Sequence, residues 1–335
     1  MSGHEGLGAF EEEPETVKSK AAGTFIIALL FSATAPLFIG LVRANPVPAP
    51  PILEIYIRSD CSVDPSTVPI QRTGNIYTFT GDITNSTITV ERDNIVIDGA
   101  GHKLQGNGQY WNAGITLTNR SNVVIQNMNI RDYVWSVYLD ASSNVIVYNN
   151  SMLTAWNVWI VSSFNNQIVG NNITGEDTGF GYCVHLEKGA ADNLIMGNNF
   201  VDAGSAVTGF SSSGKNNTFY YNNFINNSNN VVAWLEEGNY WDNGTEGNYW
   251  NDYKGFDADD DGVGDKPYFI EHCPPDRHPL MAPFNVSSVT FEMPEWGNPP
   301  DTEEPFPTMP IAVTSTTVIV AVSAILLVYF KKRKR

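Results

Sequence analysis

Between residues 94 and 222 the chain alternates short runs of β-branched and aliphatic residues with breaks centred on asparagine. The recurring unit is Asn, three mainly β-forming residues, one variable residue, then Asn again. It reads Asn122-VVIQ-Asn127, Asn144-VIVY-Asn149, Asn166-QIVG-Asn171, Asn193-LIMG-Asn198 and Asn217-TFYY-Asn222, preceded by Asn94-IVID running into Gly99. The first Asn recurs after 28, 22, 22, 27 and 24 residues, and each interval holds a second strand: Gly114-ITL, Trp135-SVYL, Trp156-NVWI, Tyr182-CVHL and Ala206-VTGF. A unit this short cannot bury its own apolar face, so successive units must stack as parallel rungs about 4.8 Å apart. The pattern predicts an all-β fold: a right-handed parallel β-helix, a solenoid, over residues 93–230. N-terminal strands in 45–92 cap it at one end, and an aromatic and Asp-rich segment, 231–284, caps it at the other. Asparagine suits the corners, because it tolerates the left-handed conformation and stacked carboxamides hydrogen-bond from rung to rung.

Alternation along the second strands predicts their faces. Val137, Val158, Val184 and Thr208 fall in one inward column, and Leu139, Ile160, Leu186 and Phe210 in another. The residues between them, Thr116, Tyr138, Trp159, His185 and Gly209, point out, beside Thr118, Asp140, Val161, Glu187 and Ser211. Solvent-facing Tyr138 and Trp159 on adjacent rungs form a flat aromatic strip of the kind on which sugar rings stack, with Asp140, His185 and Glu187 as hydrogen-bonding flanks. The expected ligand is therefore a polysaccharide or surface glycan. The competing expectation is that aromatics simply favour strands and a loop covers them. Asp140 and Glu187, two rungs or roughly 9–10 Å apart, approach the upper separation of an inverting carboxylate pair, and His185 between them is a candidate base. A polysaccharide lyase or hydrolase is thus the enzymatic alternative. Trp135, Trp156 and Tyr182 stack at the strand starts, at a corner or in the core.

Composition narrows the picture. With 36 Asp+Glu against 19 Lys+Arg and a net charge of −17, the chain is unsuited to nucleic acid, which needs a cationic surface. Its 28 Gly and 35 Asn suit a turn-rich β fold. No GxSxG, P-loop, HExxH or dinucleotide motif occurs, so triad hydrolase, nucleotide and zincin chemistry have no support. Cys61, Cys183 and Cys273 are too few and scattered for a disulfide framework or a CxxC zinc site. Asn243 and Asn285 lie in sequons that fit glycosylated loops, whereas the sequons at Asn149, Asn172 and Asn216 fall on or beside the asparagine ladder.

Two apolar segments set the expected topology. Residues 309–330 are uncharged and run into the basic tail 331–335, the pattern of a single C-terminal transmembrane helix with a cytoplasmic end. After an acidic tail, 1–20, residues 21–44 read as a signal peptide or signal anchor, which places the β-helix outside the cell as an ectodomain. Prolines among acids in 285–308 predict a stiff, extended stalk.

The cap carries two candidate metal motifs. Asp257, Asp259, Asp261, Val263 through its carbonyl, and Asp265 occupy positions 1, 3, 5, 7 and 9 of an EF-hand-like calcium loop, with Gly262 at position 6. Position 12 is Tyr268 instead of the bidentate Glu, so a looser calcium site is expected, completed by Glu271, Asp276 or water. Downstream, His272, Cys273, His278 and Met281 are ligand types that copper accepts, in an order that resembles the ligand loop of blue-copper proteins.

Taken together, these features resemble the archaeal surface proteins that carry a NosD-like (periplasmic copper-binding) right-handed β-helix domain. The resemblance covers roughly residues 53–284. It rests on Glu91-RDNIVIDGAG with Leu104-Gln-Gly, the Asn-rich rungs, and Gly247-NYW-Asn-Asp-Tyr-Lys-Gly continuing through Asp261-GVGD-Lys-Pro-Tyr to Asp276 and Pro283. It implies the fold, an extracytoplasmic location and kinship with carbohydrate-binding and sugar-hydrolysing β-helices, without supplying a catalytic residue. Members of that family usually have Gly where Cys61 stands and lack the His272-Cys273 pair, so the resemblance does not carry a copper role to those positions. An oxidising exterior would also allow a Cys61 to Cys273 disulfide.

Overall fold

The computed structural model describes residues 51–297 apart from 109–110, 176–180, 210–213 and 234–237. Among the described residues no helix is long and apolar enough to cross a membrane; the segments 21–44 and 309–330, expected to be a signal or anchor and a transmembrane helix, lie outside them. The described chain winds through three sheets of nine, eight and eight strands, each turn adding one strand to each sheet. The first sheet includes Ala113–Thr118, Trp135–Asp140, Trp156–Val161, Tyr182–Glu187 and Ser205–Gly209; the second runs through Ser121–Gln126, Ser143–Tyr148 and Gln167–Val169; the third through Asn129–Arg131, Ser151–Thr154 and Asn172–Gly175.

The coil reaches beyond residues 93–230 at both ends. Leu53–Ile57 pairs in parallel with Ser86–Val90, and Tyr249–Trp250 with Asn223–Ile225. Among the described strands, Val63–Asp64 and Ile70–Thr73 pair antiparallel and close the first edge; isolated antiparallel bridges, Val263 to Leu280 and Tyr268 to Asp276, occur in the cap. The early rung escapes the repeat because Ile55 and Ile57 face inward without the flanking asparagines that mark the later corners.

Two aliphatic columns of the first sheet form the centre of the core: Ile88, Ile115, Val137, Val158, Val184 and Val207, then Val90, Leu117, Leu139, Ile160 and Leu186. The inward columns predicted from alternation hold up to the last rung, where the register shifts by one. Val207, not Thr208, stacks on Val184, and Thr208 pairs with His185 on the outer column. Burying the valine inside leaves the threonine hydroxyl free to hydrogen-bond. Phe210 lies outside the described residues.

Asparagine fills two distinct roles that the repeat superimposes. Asn94, Asn122, Asn127, Asn144 and Asn149 take left-handed backbone angles, φ 51° to 58°, at the corners. One rung later the same role passes to Asn165 (φ 56°) and Gly170 (φ 67°), and Asn166 and Asn171 move one residue inward. There the carboxamides form fully buried ladders: Asn150 Nδ2 donates to Asn171 Oδ1, Asn171 to Asn198, Asn198 to Asn222 and Asn222 to Asn248, at 2.9–3.1 Å. The backbone N–H of Asn150, Asn171, Asn198 and Asn222 shares the same oxygen, so one side chain satisfies two donors of the rung below it in sequence. A ladder that passes donors in one direction needs an acceptor-only group at its end, and a carboxylate is one. That group is Asp276, fully buried, whose Oδ2 accepts from Asn248 N and Trp250 Nε1, both at 2.8 Å, while Oδ1 accepts from His278 N at 3.0 Å. A Cβ on Gly247 would sit 1.9 Å from Asp276 Oδ1, which is why the chain passes the carboxylate on a glycine.

The expected stalk is a strap in its described part. From Phe284 to Gly297 the chain lies back along the outer face of the second sheet. Phe284 stacks on Tyr221 at 4.4 Å, Tyr148 Oη donates to Val289 O at 3.2 Å, and Asn75 Nδ2 donates to Trp296 O at 3.5 Å. Phe291, Met293 and Trp296 cover Val96, Val124 and Ile146. The reason is local: IVI, VVI and VIV runs are apolar on both faces, so the second sheet needs a cover outside as well as a core inside.

Candidate functional site

The first sheet's outer face gathers a cluster of aromatic rings. In Trp135–Asp140, Trp156–Val161 and Tyr182–Glu187 two successive residues are buried, Ser136-Val137, Asn157-Val158 and Cys183-Val184. The strand therefore bends between its first and fourth residues, and both of those turn outward. At the bend the small polar residues are satisfied inside: Asn157 Nδ2 donates to Thr174 O and Tyr182 O, and Cys183 Sγ to Ile173 O. Two ring columns result. Trp156 and Tyr182 stack at 5.9 Å between centroids, Trp135 is tilted by 56° against Trp156 at 5.8 Å, and the second column joins them through Trp135–Tyr138 at 5.5 Å and Trp156–Trp159 at 5.2 Å. The strand-start aromatics are thus neither corner filler nor core, but half-buried members of the same wall as Tyr138 and Trp159. Trp111, 75% exposed and 6.0 Å from Trp135, extends the wall and was not singled out from the sequence.

The polar flanks fall into place unevenly. Glu187 accepts from Trp159 Nε1 at 3.2 Å and lies 3.5 Å from Lys188 Nζ. Asp140 is half-buried, two strands from Glu187, with Val161 between them in register. His185 belongs to the outer column, yet it is 1% exposed and not solvent-facing as alternation predicts. The Trp159 ring stacks on it at 3.8 Å and Thr208 Oγ1 lies 2.6 Å from its Nδ1. Burial pushes the imidazole down to about 4 against the opposing pull of Glu187, so it is neutral at physiological pH. Burial and the nearby Asp140 and Glu187 charges raise the Tyr138 phenol above its ordinary value, leaving it a hydrogen-bond donor.

His185 and Asp276 make opposite contributions to the pH dependence of stability. A histidine depressed from 6.5 to about 4 stabilises the fold above pH 6.5 and loses that contribution as the pH falls toward 4. Burial raises Asp276 from 3.8 to about 6, so its contribution is full below pH 3.8 and is lost as the pH rises through 6. Each is worth about 3 kcal/mol at the ordinary conversion of pKa into free energy. The two slopes therefore nearly cancel across this interval. Urea unfolding at pH 4 to 6.5 is expected to show a stability of His185→Gln that falls with pH, and one of Asp276→Asn that rises.

The metal motifs separate as well. One carboxylate oxygen from each of Asp257, Asp259 and Asp261 lies within 4.8 Å of the others. Asp257 also accepts from Asp260 N and Gly262 N at 2.8 Å, and the Asp261 charge holds Asp259 above its usual range. Asp265 instead accepts from Ala258 N, and Val263 N donates to Asp261. The proposed copper donors do not converge: among the described residues, no three His, Cys, Asp or Glu ligand atoms around His272, Cys273 and His278 meet as the Asp loop does. His272 lies 3.4 Å from Glu271, His278 lies 3.5 Å from Asp242, and Met281 is 39% exposed. The Cys61 to Cys273 disulfide is not formed.

Comparison with known proteins places residues 59–255 in the family described as periplasmic copper-binding protein (NosD). No curated protein matches the chain. Among solved structures it is similar to two mutant tailspike proteins of E. coli bacteriophage HK620, one of them in complex with a pentasaccharide. Identity is 12% and 13%, with 52% and 53% of this chain covered and a TM-score of 0.29 in each case. The chain spans 34% of the length of those tailspike chains.

Proposed function

The chain belongs to the NosD family, and from that premise we propose that it is an extracellular β-helix that binds polysaccharide along the aromatic wall of its first sheet. The observation that carries this reading is the pair of ring columns from Trp135 to Tyr182 and from Tyr138 to Trp159, extended by exposed Trp111. Rings held side by side on successive rungs present apolar faces to sugar rings, while Tyr138 and the Asp140 and Glu187 carboxylates offer hydrogen bonds to hydroxyls. Trp135 Nε1 is a further donor, buried and without an acceptor among the described residues. Carboxylate flanks select neutral or amino sugars over polyanions. A glycan array probed with the full-length protein tests this: retention of neutral or amino-sugar polymers supports it, and retention of none rejects it.

A lyase or hydrolase would draw on Asp140, His185 and Glu187, but a buried imidazole tied to Thr208 is poorly placed to take a substrate proton. Binding without turnover is the better reading. The apolar segment 309–330 supplies its attachment to the membrane, and 21–44 is its signal peptide or signal anchor, with the coil outside and the basic tail in the cytoplasm. Calcium completes the cap in this reading, supported by the three converging carboxylate oxygens of the Asp257 loop. Chelation is then expected to lower Tm and added calcium to restore it, since a ion held by the folded state alone stabilises by mass action. Differential scanning calorimetry with and without chelator reads this, and an unmoved Tm would leave the loop an ordinary acidic turn.

A further inference from the structure

At the end of the coil away from the wall's first turns lies a cleft of about 720 Å³, formed where the chain from Gly238 to Trp241 faces the segment from His272 to Arg277. Its size is that of a small-ligand site. Its charge is the inverse of the protein's: the chain carries −17, yet the described lining holds Lys215, Arg277 and His272 and no carboxylate. Glu271, 87% exposed, lies 3.4 Å from His272, and the buried Asp242 lies 3.9 Å from Arg277; neither lines the cleft. Among the described residues no carboxylate pairs with Lys215, and Arg277, whose side chain is 60% exposed, meets Asp242 only at 3.9 Å, which leaves guanidinium N–H groups for a ligand. Tyr240, 49% exposed, provides an aromatic surface in the same cleft, and Pro274 and Pro275 stiffen the opposite wall. A concave site lined by one sign of charge concentrates ligands of the other sign.

We propose that this cleft binds a carboxylate-bearing sugar, a uronate unit, with Lys215 and Arg277 on the carboxylate and Tyr240 against the ring. The sugar half of this assignment rests on the glycan reading above; the anion half rests on the cleft alone. It also separates two sites by ligand charge, because the wall is flanked by carboxylates and the cleft by cations.

Isothermal titration of the full-length protein with an oligouronate, and with the neutral oligosaccharide of the same length and linkage, tests it. Two double variants are compared, Lys215→Ala with Arg277→Ala and Trp156→Ala with Trp159→Ala. The oligouronate is expected to bind and to weaken by about tenfold or more in the first variant and at raised salt, while the second leaves it unchanged. The surface position of Lys215 and Arg277 keeps the core intact, and an unchanged Tm verifies it. Absence of oligouronate binding, oligouronate binding indifferent to the first variant, or neutral-oligosaccharide binding weakened equally by the first variant overturns the proposal. If the neutral sugar binds and only the Trp156 and Trp159 variant loses it, while the oligouronate does not bind, the wall reading stands and the cleft falls. Loss of oligouronate binding in the first variant alone upholds the cleft whatever the wall does.

Discussion

Replacing Asp276 by alanine is expected to cost about 3–5 kcal/mol and to loosen the cap before the rest of the coil. Two buried donors, Asn248 N and Trp250 Nε1, and the half-buried His278 N converge on this carboxylate, and alanine removes the acceptor of all three. Asp276→Asn keeps one oxygen for Asn248 and Trp250 but turns an N–H₂ toward His278 N, so its cost is smaller, about 1–2 kcal/mol. Because each turn of a solenoid contacts only its neighbours, the damage is local. Hydrogen exchange should accelerate at Gly247–Trp250 and around Asp276 while Ile88–Leu117 stays protected. Uniform acceleration through all turns would show that Asp276 does not act as the ladder's end.

Substituting leucine for Asn198 is the second large effect, about 3–5 kcal/mol, at the middle of the same ladder. Asn198 Oδ1 accepts from both Asn171 N (2.9 Å) and Asn171 Nδ2 (3.0 Å), and its own Nδ2 donates to Asn222 Oδ1 (2.9 Å) and Ile168 O (2.7 Å). A leucine of similar size satisfies none of these in a fully buried site. Here the coil should loosen on both sides of one rung, seen as broadened denaturant unfolding with exchange rising first near Asn171 and Asn222. A variant as stable as the parent would mean that the ladder is decorative.

Much of the fold was legible because a solenoid writes its geometry locally. Alternation along Trp135-SVYL and its equivalents identified the core columns, and the Asn-x4-Asn spacing marked the corners. The spacing could not reveal that Asn144 is a left-handed corner and Asn166 a buried ladder member, since a one-residue phase shift preserves the same interval. The wall was half legible. Period-two reasoning found Tyr138 and Trp159 but left Trp135, Trp156 and Tyr182 between corner and core. A strand that buries two neighbours in succession breaks the alternation, and the readable sign was the small polar residue at Ser136, Asn157 and Cys183. Thr208 and His185 were misjudged through one residue of register and through stacking that hides an outward ring. The strap was missed because prolines among acids resemble a stalk, although the doubly apolar strands of the second sheet signalled a cover.

The central claim is that the aromatic wall is the glycan-binding surface. Its most direct test is the affinity of the full-length protein for a neutral polysaccharide retained on the array, measured for the parent and for Trp156→Ala with Trp159→Ala at matched Tm. Loss of two stacking rings at the join of both columns is expected to weaken binding by about tenfold or more, at roughly 1 kcal/mol per ring. An unchanged affinity in a folded variant would contradict the account.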